Sequence, residues 1–96
     1  MKTEIKYRQI FCKRLKEARL AKGLSQKKLG ILAGIDEFVA STRINRYEKG
    51  IYEPNLETSG KLAEVLELPL AYFYAEDELV DLIVAYAKSC QDNATH

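Results

Sequence analysis

Apolar residues recur along this chain at helical intervals, and glycine, proline and small polar residues cut them into segments. From Tyr7 to Lys22, the residues Ile10, Phe11, Leu15 and Ala18 fall at three- and four-residue steps and predict a first amphipathic helix. Gly23 comes next, where helices commonly end in left-handed backbone. Ser25 suits the N-cap of a second helix, with Leu24 and Leu29 spaced as a hydrophobic staple. That helix is expected to bury Leu29, Leu32 and Ala33 and to stop at Gly34, leaving Ile35 as the apolar plug of the turn. Asp36 is placed to cap a third helix, with Ala40, Ile44 and Tyr47 inward and Gly50 at its end. Pro54-Asn55 opens a fourth, with Asn55 as N-cap and Leu56, Leu62, Ala63 and Leu66 as its buried stripe. Leu68-Pro69 breaks the chain before a short fifth helix carrying Leu70, Phe73 and Tyr74. A last helix runs from Asp77 to about Ser89. The fold class is all-α.

The last helix is too apolar for one neighbour. Leu79, Val80, Leu82, Ile83, Val84 and Tyr86 cover more than one face, which calls for the helix's own domain on one side and something else on the other. The expected organisation is a loose polar arm over 1–6, a domain over 7–75, a dimerisation helix over 76–90 and a frayed tail over 91–96. Leu79, Leu82, Ile83 and Tyr86 are the expected dimer contacts.

Composition narrows the class. The 96 residues make one domain with one modest core. No apolar run reaches the length of a membrane span, and the charged N-terminus lacks the apolar stretch of a secretory signal, so a cytoplasmic address is expected. Cys12 and Cys90 lie far apart with only the terminal His96 for company, which offers neither a metal-ligand spacing nor a disulfide framework. The net charge of +1 conceals a division. Residues 1–50 hold 13 Lys/Arg against 5 Asp/Glu, whereas residues 51–96 hold 2 against 9. A chain so polarised can turn a basic surface to a polyanion while its other half faces water or a partner.

Two short helices joined by a glycine-containing connection, the second rich in groups that read bases and grip phosphates, form a helix-turn-helix. Its natural ligand is duplex DNA. On the third helix, the Arg46 fork matches O6 and N7 of guanine, or else holds phosphate. Asn45, Thr42 and Ser41 are short polar candidates for base contact that serve equally as caps or solvated residues. Arg43 suits the phosphate backbone. Ser25, Gln26 and Lys27 open the second helix, where outward N–H groups favour phosphate. Lys28 stands in that first turn where an acid is usual, so a compensating anion is expected. Lys49 and Tyr52 flank the loop after the third helix and can clamp the opposite phosphate run.

The chain resembles the lambda-repressor-like, Xre-type helix-turn-helix regulators. The carriers are Arg14-Leu15, Arg19, Gly23-Leu24-Ser25-Gln26, Leu29, Gly34-Ile35, Ile44, Arg46-Tyr47-Glu48-Lys49-Gly50, Pro54, Leu56-Glu57, Leu62-Ala63 and Leu66, in order from about Phe11 to Tyr74. The resemblance implies a compact five-helix DNA-binding domain, here with an additional C-terminal helix. It also implies homodimeric operator binding, repression of transcription, a backbone contact at Gln26 and a structural ion pair between Arg19 and Glu48. This chain departs from the family by an insert near Asp36-Glu37-Phe38-Val39, which either lengthens the turn or adds a helical turn before the recognition segment.

Catalysis has little support: the one histidine is terminal, no Ser or Cys has a base nearby in sequence, and no Gly-rich phosphate loop exists. No cofactor, metal or small-molecule ligand is expected. The competing reading is a protein-interaction module, such as an antitoxin whose acidic, apolar C-terminal half docks on a toxin or a transcription partner.

Overall fold

The computed structural model describes residues 2–94. The elements are α1 (Lys2–Ala21), α2 (Gln26–Leu32), α3 (Ala40–Glu48), α4 (Leu56–Leu66), a 3₁₀ segment (Leu70–Tyr74) and α5 (Asp77–Ala94), with no strand among the described residues. The core gathers Phe11, Leu15 and Ala18 of α1, Leu29 and Ala33, Ile44 and Tyr47, Leu62, Ala63 and Leu66, and Phe73. Every element through the 3₁₀ segment contributes to it.

Local chemistry fixes most boundaries. Gly23 at φ +72° ends α1, with Leu24 N–H returning to the Arg19 carbonyl at 3.1 Å. Gly34 at φ +89° ends α2 the same way, Ile35 N–H reaching the Gly30 carbonyl at 2.9 Å. Ser25 Oγ accepts from Lys28 N–H at 2.9 Å, and Asn55 Oδ1 from Thr58 N–H at 2.8 Å, so both N-caps satisfy orphan donors.

Four expectations need correction. The arm over 1–6 is helical from Lys2, because no glycine or proline interrupts the run to Ala21 and its residues tolerate helix. Lys6 near this end pairs with Glu76 at 3.1 Å. The tail is likewise helical to Ala94, since nothing after Ser89 breaks α5. Met1 and residues 95–96 lie outside the described residues.

Leu32 is exposed, whereas Leu29, Gly30 and Ala33 form the buried arc of α2. The reason is Gly30, where a Cβ would stand 2.7 Å from Ala40 Cβ, so the two helices meet almost backbone to backbone. Residues 30 and 32 point about 200° apart on a helix, and both cannot face α3. Leu56 is 73% exposed in the first turn of α4, where no element covers it, and Ser59 takes the inner position instead.

Beyond the core, α5 packs chiefly on the 3₁₀ segment. Its start is clamped to α1. Arg14, buried, donates to the Ala75 carbonyl at 2.9 Å and to Asp77 Oδ1 at 2.8 Å, and lies over the Tyr72 ring. Lys13 adds a second bond to Asp77 at 3.3 Å. These bonds hold the Asp77 carboxyl below the usual carboxylate range, Arg14 contributing most. Leu79, Leu82 and Tyr86 stay exposed at helical spacing, with Ile83 half-buried beside them.

Candidate nucleic-acid interface

The insert resolves into turn rather than helix. Asp36 Oδ1 accepts from Phe38 N–H at 2.8 Å and its carbonyl from Val39 N–H at 3.1 Å, closing a tight turn before α3 begins at Ala40. Asp36 therefore caps the turn. The N-cap of α3 is Val39, which has no side-chain acceptor.

The α3 helix is anchored by Ala40, Ile44 and Tyr47, whose spacing leaves the opposite face outward. Ser41, Thr42, Arg43 and Arg46 are exposed there, and Asn45 is half-buried at the edge. The Arg46 guanidinium lies over the Tyr52 ring, 5.4 Å from its centroid. Tyr52, read from sequence as a phosphate contact, is thus first a platform that restrains Arg46. The sequence carries no signal for this pair, which the glycine turn at Gly50 brings together. Thr42, Arg43, Arg46, Tyr52 and Glu53 line a shallow groove along α3.

A buried network sets α3 against the other helices. Arg19 Nε donates to Glu48 Oε2 at 2.6 Å and Nη2 to Oε1 at 3.1 Å, while Nη1 reaches the Leu24 carbonyl at 2.9 Å. The side chains are 10% and 4% exposed. Gln26 Nε2 donates to Glu48 Oε1 at 3.1 Å. The end of α1, the start of α2 and the end of α3 are therefore locked through one carboxylate, and Gln26 reaches solvent with its amide nitrogen already engaged. Ser25 is exposed but its Oγ accepts the cap bond, and Lys27 and Lys49 are exposed.

The charge division takes a definite form in three dimensions. Cations of α1 and its C-terminal edge pair with carboxylates from the acidic half: Lys6 with Glu76, Arg8 with Glu53, Lys13 and Arg14 with Asp77, and Lys22 with Glu67. Among the described residues, Lys16, Lys27, Lys28, Arg43, Arg46, Lys49, Lys61 and Lys88 form no ion pair, and five of these eight belong to α2, α3 and the residue after α3. The first turn of α2 contains no acid to offset its lysines. The uncompensated cations are thus most concentrated on the helix-turn-helix, with Lys16, Lys61 and Lys88 single on α1, α4 and α5.

Cys12 is a packing group. Its thiol donates to the Tyr47 carbonyl at 3.3 Å, and burial pushes it above its ordinary pKa, away from thiolate reactivity. Among the described residues, no cluster of His, Cys, Asp or Glu is arranged for a metal ion, and no helix is long and apolar enough to cross a membrane.

A family model described as helix-turn-helix matches residues 15–73. Among solved structures, that of the transcriptional regulator BswR is similar, with 46% sequence identity over 88% of this chain and 87% of that one, and a TM-score of 0.76. No curated protein matches the chain.

Proposed function

Because the chain belongs to the lambda-repressor-like helix-turn-helix family, we propose that it works as a homodimeric repressor on a palindromic operator. The family and the BswR likeness support a DNA-binding transcriptional regulator. The observation that carries the finer reading is the uncompensated basic face of α2 and α3, set beside an α1 whose Lys6, Arg8, Lys13 and Arg14 are paired with carboxylates.

In this reading α3 enters the major groove. Arg46, held by Tyr52, reads guanine, and Ser41, Thr42 and Asn45 add shorter contacts to base edges. Ser25, Gln26, Lys27, Arg43, Lys49 and the Tyr52 hydroxyl hold phosphates and fix the register. Two protomers join through α5, whose Leu79, Leu82 and Tyr86 stay exposed beside Ile83. This joins the reading heads at about one helical turn of DNA, roughly 34–36 Å. The acidic half pairs with Lys6, Arg8, Lys13 and Arg14 of α1 and sets the foot of α5, and the protein acts in the cytoplasm.

The experiment is selection of duplexes from a random-sequence pool, followed by fluorescence anisotropy on the recovered operator. Arg46→Ala should relax sequence preference, costing about 1–3 kcal/mol on the best site, whereas Lys27→Ala should weaken all sequences alike. Identical behaviour of the two variants would overturn the division of roles. Sedimentation equilibrium on a chain ending near Ala75 should give a monomer where the full chain is a dimer. A full chain that is monomeric until another protein covers α5 would favour the interaction-module reading instead.

A further inference from the structure

We propose that Phe38 is a specificity determinant, reading the 5-methyl group of a thymine in each half-site. The inference rests on the DNA-binding reading of α3.

Phe38 is 90% exposed, more than any other large apolar residue among those described. It contributes nothing to the core. The turn that presents it is held by the Asp36 side chain and carbonyl, so the backbone at Phe38 is fixed without help from its ring. Val39 comes next as the N-cap of α3, and its carbonyl accepts the Arg43 N–H at 2.8 Å, which joins the turn directly to the helix. Phe38 therefore stands two residues ahead of α3, at the N-terminal end of the element that exposes Thr42 and Arg46. Val39 lines the same groove as Thr42, Arg43 and Arg46.

The N-terminal end of a recognition helix is the part that meets base edges. In the major groove, the one apolar feature a base pair offers is the thymine methyl, and phenylalanine is among the side chains that contact it. A phosphate role does not fit. Asp36 and Glu37 sit beside Phe38 and would repel the backbone, whereas Arg43 and Arg46 on the same helix draw the duplex toward this end. The insert thus gives the reading head a contact that its polar residues cannot make.

The test uses the full chain and the duplex recovered by selection, with each thymine replaced in turn by deoxyuridine, which removes only the methyl. At one symmetry-related position, replacement in both half-sites should weaken the wild-type protein about 15-fold, from about fourfold per methyl. Phe38→Ala should bind the thymine duplex more weakly and be indifferent to uracil at that position. A uracil response identical in both proteins, or Phe38→Ala binding the thymine duplex as tightly as wild type, overturns the proposal and leaves DNA binding intact. A change in sedimentation of Phe38→Ala overturns it too, since a second copy would then be what covers the ring. Failure of the wild-type protein to recover any duplex sinks this proposal together with the function it rests on.

Discussion

Raising the salt concentration should weaken DNA binding along a slope whose ceiling the ion-pair pattern sets. Each phosphate neutralised by a cation contributes about −0.9 to the slope of log K against log salt. Lys27, Lys28, Arg43, Arg46 and Lys49 form no ion pair among the described residues, whereas Lys6, Arg8, Lys13, Arg14 and Lys22 are occupied within the chain. If these five cations of the helix-turn-helix meet phosphate, and the equally unpaired Lys16, Lys61 and Lys88 on other elements do not, the slope is roughly −4.5 for one protomer and roughly −9 for two. Arg46 spends its charge on a base in the proposed mode, so the dimer should fall nearer −7 than −9, by about −0.9 for each protomer. Anisotropy between 50 and 200 mM salt should then lose about four decades of affinity. Lys27→Ala should flatten the dimer slope by about 2, one unit per protomer, and Lys13→Ala should leave it unchanged. A slope that Lys13→Ala flattens as much as Lys27→Ala would mean that the α1 cations leave their carboxylates for DNA. That result would refute the partition.

Two further predictions concern the scaffold. Gly30→Ala should destabilise the fold, because its Cβ would stand 2.7 Å from Ala40 Cβ and 3.1 Å from the Ala40 backbone; overpacking costs about 1–3 kcal/mol against about 1 kcal/mol gained in helix propensity. Gly60→Ala, with nothing within 4 Å of the added Cβ, should stabilise by about 1 kcal/mol, and urea denaturation yielding the same sign for both would refute the backbone-contact argument. The Asp77 carboxyl, depressed by its bonds to Arg14 and then Lys13, contributes stability that is full above its unfolded pKa of about 3.9 and is lost as pH falls through the lower folded value. Asp77→Asn should accordingly be less stable than wild type near neutrality, begin to approach it as pH falls below about 4 and converge with it only below the folded pKa, as followed by thermal denaturation across pH.

What the sequence makes legible is what local chemistry decides. Ser25 and Asn55 cap because a short side-chain acceptor reaches an N–H three residues on, and Gly23 and Gly34 terminate because only they adopt left-handed backbone without strain. Asp36 is ambiguous for a local reason too: an aspartate can close a turn or cap a helix with the same oxygen. Which of Leu32 and Ala33 faces inward depends on where α3 crosses, and that crossing is decided by the absence of a Cβ at Gly30. Leu56 has the right spacing and the wrong place, since a stripe buries only as far as its neighbours extend. The Tyr52 platform and the pairing of α1 with the acidic half join residues distant in sequence, and no periodicity registers them.

The same distant pairings explain why a chain of nearly neutral charge can carry a basic reading surface. Had the acidic half faced a partner, α1 would have kept its cations and spread positive charge over several faces, and a duplex would gain little from choosing one. Instead Glu53, Glu67, Glu76 and Asp77 each take up a cation outside α2 and α3. The remaining positive charge is concentrated on α2 and α3, and the Arg19–Glu48–Gln26 network fixes that surface against the core. The Arg14–Asp77 clamp belongs to this arrangement as well, since one carboxylate both pairs with Lys13 and Arg14 of α1 and ties down the start of α5. Neutralisation of the wrong face and positioning of the C-terminal helix are therefore two consequences of one set of contacts. In the proposed dimer, a substitution at Asp77 should disturb the geometry between the reading heads without touching either of them.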